Sequence, residues 1–323
     1  MANQDLAKAL QYRDASRTQA KACIGISGMS GSGKSGLALA IGYILAGKDW
    51  QKTFAVDTES KSLDLFHNLQ LHIGDTISPF KKLDLLPSYG YAPSNYLLCK
   101  ENAINAGAEA WIADSASHMW TMEGGILQRV TALEKANSKL NKFNAWGTDE
   151  IMSEKNAIFN VIRDNRLHVI STIRTKRKYT QGNDDKGKTI IISLGEQDMF
   201  MPDIDFEFDL LLRMVSPGSV DGEPPVAEVV KTRYVIFKKG ETYQFTEKLI
   251  SQLKAYLEEG VDPAVLQEEQ RQELIGVITN ICETNVSKKT MYPVLKEQLG
   301  VKDTALTELP LDTVRTLLSM LIN

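Results

Sequence analysis

Short apolar runs separated by longer mixed segments set the rhythm of the first half of this chain. Cys23-Ile24-Gly25-Ile26 leads into a glycine-rich loop and reads as a buried strand. Thr53-Phe54-Ala55-Val56-Asp57 and Ala110-Trp111-Ile112-Ala113-Asp114 read the same way, the latter apolar up to its acidic end. Leu83 to Leu86 predicts a weaker strand between those two, and Leu167 to Ile173 a fifth. Helical patterns fill the gaps: Ser35 to Ala46 with a stop at Gly47, Ser94 to Ala106, and stretches near 124–140 and 149–165 split by the turn-like Asn144-Ala145-Trp146-Gly147. Strands alternating with helices predict a parallel sheet covered on both faces.

After Ile173 the pattern changes. Ile190 to Ser193, Phe206 to Met214, Ala227 to Phe237 and Thr242 to Phe245 suggest hairpins or antiparallel edge strands. A turn cluster, Gln181-Gly182-Asn183-Asp184-Asp185-Lys186-Gly187, separates two of them. From Thr246 onward the reading is helical, over 246–259, 263–284, 287–299 and 310–322, with Gly260 to Pro263 as a hinge. Residues 1–21 read as a short helix, Asp5 to Tyr12, and a polar linker that could dock on a neighbouring subunit. The expected organisation is an N-terminal arm (1–21), an α/β core (22–259) and a small C-terminal helical domain (260–323). No internal repeat or low-complexity tract interrupts it.

Composition narrows the classes without choosing among them. The 323 residues are 43% hydrophobic and 24% charged, which suits a globular fold with a sizeable core. Cys23, Cys99 and Cys282 form no CxxC pair, and His67, His72, His118 and His168 show no ligand spacing, so no zinc site is expected. The polar start lacks the apolar centre of a signal peptide, and the longest apolar stretch, Gly36 to Ala46, is too short to span a membrane. A reducing, cytoplasmic setting is the expectation. The net charge of −4 gives no global pull on nucleic acid, so any DNA-binding surface must be a local basic patch.

The chemistry concentrates in Gly28-Met29-Ser30-Gly31-Ser32-Gly33-Lys34-Ser35, followed by Gly36. A G-x-x-x-x-G-K-S loop between a strand and a helix lets backbone N–H groups wrap phosphates, helped by the positive end of the helix. Lys34 would neutralise the β- and γ-phosphates and the Ser35 hydroxyl would ligate Mg²⁺. Asp114, ending an apolar strand, is the second expected metal ligand. Glu59 is the candidate to orient or deprotonate an attacking water, with Asp57 beside it as an alternative or a support for Mg²⁺. Phe66 or Tyr91 could stack on adenine. Trp111, Trp120 and Trp146 read as core or interface. The basic segment Arg174, Lys176, Arg177, Lys178 and Tyr179, continuing to Lys186 and Lys188, combines cations with a stacking ring, as single-strand binders do. The stretch 124–142, with Arg129, Lys135, Lys139 and Lys142, is a weaker second patch.

Four segments in one order resemble the RecA family over about residues 22–245. Asp57-Thr58-Glu59 resembles the segment whose glutamate activates water, and Ile112-Ala113-Asp114-Ser115 the family's Walker B strand. Ser171-Thr172-Ile173-Arg174-Thr175-Lys176 resembles the strand end that senses the γ-phosphate and leads into a DNA-binding loop. Val229-Val230-Lys231-Thr232-Arg233 resembles a late strand whose basic residues reach a neighbour's nucleotide in filaments. The resemblance implies a RecA-like P-loop core, ATP and Mg²⁺ as ligands, single-stranded DNA as partner, and a homo-oligomer or filament if Lys231 and Arg233 act in trans. Within the family the chain looks most like phage-encoded ATPases of single-strand annealing and recombination. Thr172 stands where RecA usually has glutamine, so coupling to the DNA loop would fall to Arg174. Two other readings stay open: a nucleotide-gated module that binds a recombination partner through its C-terminal helices, and a helicase-type motor.

Overall fold

The alternation of strands and helices resolves into one sheet in a computed structural model that describes residues 15–59, 61–136, 142–183, 189–218 and 223–322. Its strands are β1 (Cys23–Gly28), β2 (Thr53–Asp57), β3 (Lys81–Asp84), β4 (Ala110–Asp114), β5 (His168–Asn183), β6 (Thr189–Asp198), β7 (Leu210–Ser216), β8 (Val226–Thr232) and β9 (Thr242–Gln244). Their order is β3-β2-β4-β5-β1-β7-β8-β9, with β6 paired to β5 alone. β3 through β7 in that order run parallel, and β8 and β9 close one edge antiparallel. The α/β architecture expected from the sequence, a mostly parallel sheet with antiparallel edge strands followed by C-terminal helices, is present.

Strand position explains the strength of each sequence signal. β1 lies at the centre with all six residues buried, and its apolar run is interrupted only at Ser27, whose hydroxyl donates to Leu212 O at 3.2 Å. β3 lies at the edge with alternating exposure, and two of its four residues are lysines. That is why it starts at Lys81 rather than at the expected Leu83. Alternate residues of each central strand serve opposite faces. In β4, Ala110 and Ile112 join a cluster with α1 (Lys34–Leu45) and α7 (Glu247–Glu258). Trp111 and Ala113 join a second cluster with α2 (Pro93–Asn105), α4 (Ile126–Ala136) and α6 (Asp149–Ile162). Two short helices, α3 (His118–Thr121) and α5 (Lys142–Ala145), complete this layer.

Parallel register gathers the strand ends on one edge. Gly28 pairs with Arg174, and Asp57 with Asp114. β5, expected to stop at Ile173, runs on to Asn183. Its pairing with β1 ends at Arg174, and from Thr175 it pairs with β6, forming a two-stranded arm beyond the sheet. Residues 176–181 are exposed, so no apolar periodicity marks this extension. Lys186, Lys188 and the tip of the turn cluster lie outside the described residues, as do Lys139 and the expected Asp5–Tyr12 helix.

Residues 15–20 and 258–322 belong to a second compact unit, and 21–257 to the first. In the second unit α8 (Pro263–Thr284), α9 (Val286–Gln298) and α10 (Leu311–Ile322) pack around Ile278, Val314, Leu317 and Leu321. Asp262 caps α8 by accepting from the Ala264 N–H at 2.8 Å, with Pro263 at the first helical position. The polar stretch expected as a linker is tied to the hinge. Val261 N donates to Arg17 O, Gln19 N donates to Val261 O, and Arg17 pairs with Glu259 at 2.8 Å. Gly260, at φ +108°, is needed there, because a Cβ would fall 2.3 Å from Arg17 O. No helix among the described residues is long and apolar enough to cross a membrane.

His168, the first residue of β5, is buried, and its Nδ1 accepts from the Ala22 N–H at 3.0 Å. Burial, then the charges of Lys21 and Lys254, push its pKa down from 6.5 to about 3. The unfolded chain therefore binds a proton that the folded chain refuses, and the associated stability is present above the ordinary imidazole pKa and lost as pH falls below it. His168→Gln, which keeps an acceptor, should flatten the fall of the unfolding free energy, read from urea titrations, from pH 6.5 downward by up to about 1.4 kcal/mol per pH unit. An unchanged slope would rule His168 out as a source of acid sensitivity.

Candidate functional site

The glycine-rich loop joins β1 to α1 at the edge where the strand ends meet. Gly33 caps α1 at φ +86°, a conformation that side chains resist, and a Cβ there would lie 2.8 Å from Pro217 Cα. The first N–H groups of α1 have no partner within the helix and face the loop's interior, the geometry of an anion site. A cavity of about 540 Å³ opens there, lined by Ser30, Gly31, Ser32, Gly33, Lys34, Ser35 and Gly36 of the loop. Its other walls include Glu59, Phe66, Asp114 and Arg174. The volume suits a small-molecule ligand of nucleotide size.

Lys34 is buried, and its Nζ donates to Gly28 O at 3.0 Å and Met29 O at 2.8 Å. Burial pulls it below the ordinary lysine value, while Glu59 and Asp114 push the other way. Asp114 is fully enclosed. Its Oδ1 accepts from Thr172 Oγ1 at 2.5 Å, the Ser35 hydroxyl lies beside it, and its Oδ2 has no partner. Burial raises its pKa from the ordinary aspartate value, the Thr172 and Ser35 hydroxyls oppose this, and the charges of Glu59 and Asp57 add to it. An orphaned carboxylate oxygen and a hydroxyl at the floor of an anion cradle are a fitting donor pair for Mg²⁺. Ser32 Oγ, on the glycine-rich loop, is a second buried orphan.

Glu59 lies on the turn after β2, and its Oε1 accepts from Arg174 Nε at 2.7 Å. Both side chains are partly exposed at the cavity wall. Arg174 is the last residue of β5 paired to the sheet, and its N–H donates to Ser117 Oγ at 2.9 Å. Its carbonyl accepts from Met199 N, and the Thr175 hydroxyl donates to Glu196 at 2.7 Å across the arm. The arm's root is thus fixed to the cavity, while Lys176, Arg177, Lys178 and Tyr179 stand exposed on the arm itself.

Several expected site residues do other work. Asp57 does not line the cavity: its Oδ1 accepts from the Glu59 N–H at 2.8 Å and its Oδ2 from Leu63 N–H at 2.9 Å, so it shapes the turn that presents Glu59. Thr172 is buried, and its hydroxyl reaches Asp114 rather than the cavity. Lys231 and Arg233 lie at the opposite edge of the sheet from the loop. β8 runs antiparallel to β7 and pairs Lys231 with Leu211, near the start of the parallel strands. Lys231 Nζ donates to the carbonyls of Asp205 and Phe208, each at 2.7 Å, and Arg233 pairs with Asp209. Of the weaker patch, Arg129 is held by Glu150 and Glu154. Tyr91 is buried against His118, whereas Phe66 lines the cavity beside Gly36.

Two contributors carried no sequence signal. Thr58 stitches β2 to β4: its N–H donates to Asp114 O at 2.8 Å and its hydroxyl accepts from Ser115 N–H at 2.9 Å. Ser117, just before α3, anchors Arg174 by accepting its N–H.

No protein-family model matches this sequence, and a search of curated proteins finds no match. Among solved structures, a KaiC-like protein from the hyperthermophilic archaeon Pyrococcus horikoshii matches at 13% identity with a TM-score of 0.40. The match covers 69% of this chain and 84% of that one. The chemistry assigned to the site comes from the residues that form it.

Gly33→Ala tests the cradle directly. A left-handed cap made to carry a side chain against Pro217 should cost about 1–3 kcal/mol of stability and abolish nucleotide binding. Calorimetric titration with a non-hydrolysable ATP analogue, beside a thermal melt, measures both; wild-type affinity in the variant would show that the loop does not hold the ligand.

Proposed function

We propose that this protein is a Mg²⁺-dependent ATPase that couples hydrolysis to a single strand of DNA held on the β5–β6 arm, in annealing or strand exchange during phage recombination. The observation that carries the reading is the 2.7 Å ion pair of Arg174 with Glu59, which joins the root of a basic arm to a carboxylate on the phosphate cavity. In the reaction, water attacks the γ-phosphorus, the bond to the β,γ-bridging oxygen breaks, and the water's proton passes to the Glu59 carboxylate. Lys34 leaves the two loop carbonyls to neutralise the phosphates, and Phe66 offers a ring to the adenine. Ser35 and the unpartnered oxygen of Asp114 would hold Mg²⁺, which supplies charge neutralisation across the β- and γ-phosphates.

Arg174 has two partners to choose between. While it is paired with Glu59, the Oε1 of that carboxylate is occupied. When the guanidinium turns to the charge developing on the transferring phosphoryl group, Glu59 is released to take its proton. A strand drawn along Lys176, Arg177 and Lys178 pulls on the residues next to this choice. The reading needs no second copy, since Lys231 and Arg233 could join a neighbour's site in a filament only by leaving their present contacts.

The net charge of −4 favours one competitor, a nucleotide-gated module that meets a protein partner through the C-terminal helices without touching DNA. Hydrolysis assays with and without single-stranded DNA separate the two. Glu59→Gln should lower turnover by roughly a hundredfold or more while sparing nucleotide affinity. DNA should stimulate the wild type. Neutralising Lys176, Arg177 and Lys178 together should remove that stimulation and flatten the salt slope of binding by about two units. Wild-type turnover in Glu59→Gln would sink the role of that residue, and indifference to DNA would favour the competitor.

A further inference from the structure

An aromatic cleft of about 410 Å³ lies in the core unit beside the foot of the arm, and the phosphate site makes no use of it. Trp120, Trp146, Phe159 and Met201 give it apolar walls, and Lys155 and Asp203 bring one charge of each sign. The two indoles stack, 5.6 Å between centroids with 29° between planes, Trp120 being 8% exposed and Trp146 more open. Lys155 Nζ stands 6.0 Å from the centre of the Trp146 ring. Neither Lys155 nor the Asp203 carboxylate has a hydrogen-bond or ion-pair partner among the described residues. Asp203 also holds a left-handed backbone at φ +61°, a conformation uncommon outside glycine. Met201 and Asp203 follow directly on β6, which ends at Asp198 opposite Thr175.

We propose that this cleft is a subsite for one nucleobase, turned out of a single strand that lies along the arm; the inference rests on the reading of the arm as a strand-binding surface. A base is flat and stacks on indole or phenyl rings whatever its sequence, while its edge carries polar atoms. An aliphatic or aromatic side chain of a protein would satisfy the walls and leave both charges unanswered. The Lys155 ammonium answers ring nitrogens and carbonyl oxygens. The Asp203 carboxylate accepts from an exocyclic amine, which cytosine and adenine present and thymine lacks. The cleft thereby adds a base preference to a surface whose cations alone would read only the backbone.

Fluorescence anisotropy of labelled oligo(dC) and oligo(dT) on the full-length protein tests this. Wild type should bind oligo(dC) several-fold tighter than oligo(dT). Trp146→Leu should weaken oligo(dC) binding roughly tenfold while Trp146→Phe, which keeps a ring, retains most of it. Asp203→Ala, a change at an exposed position, should bring the two affinities together. Unaltered affinities in Trp146→Leu and Asp203→Ala, with binding lost on neutralising Lys176, Arg177 and Lys178, would overturn the cleft and leave the arm standing. No binding of either oligonucleotide by the wild type would overturn both.

Discussion

Parallel pairing puts the carboxyl ends of neighbouring strands on the same side, and the site exists because of that constraint. Gly28, Asp57, Asp114 and Arg174 are far apart in the chain, yet the register of β1, β2, β4 and β5 brings them to one edge. Once there, they create an electrostatic problem that the fold solves in pieces. Asp114 is enclosed and half satisfied by Thr172, Asp57 is spent on backbone N–H groups, and Glu59 is neutralised by Arg174. Lys34 meanwhile rests on two carbonyls. Two of these arrangements are incomplete by themselves: Asp114 keeps an unpartnered oxygen, and Lys34 holds a full charge against neutral carbonyls.

The arm depends on the same alignment from the other direction. Because β5 lies between β1 and β4, its last sheet residue necessarily borders both the glycine-rich loop and the Asp114 strand. The arm therefore begins at the cavity wall, which Arg174 and Thr175 both line. Thr58 and Ser117, small hydroxyls at the turns, keep these neighbours in place by bonding across strands rather than to any ligand.

Much of this was legible in the sequence, for physical reasons. Central strands buried on both faces must be apolar throughout, so β1, β2 and β4 stood out, and the positive φ of Gly33 explains why the loop needs glycine there. β3 was blurred because an edge strand tolerates lysines. The continuation of β5 was invisible because an exposed two-stranded arm has no core to impose alternation. Asp57 and Glu59 could not be told apart by spacing, since the turn between them decides which carboxylate meets the cavity. Likeness of segment assigned Lys231 and Arg233 to a neighbour's nucleotide, and within the chain itself antiparallel β8 carries them to the far end of the strands from its own cavity.

β5 is unbroken from the centre of the sheet to Asn183, with one irregularity in its pairing between Arg177 and Tyr179. A continuous strand behaves as a lever whose short end is set among buried neighbours and whose long end is in solvent. Tension applied along it is resisted in shear by the hydrogen bonds to β1 and β4 together, whereas a sideways push meets only β6. The arm should therefore transmit bending more readily than pulling, so the direction of a load on the arm matters as much mechanically as its size.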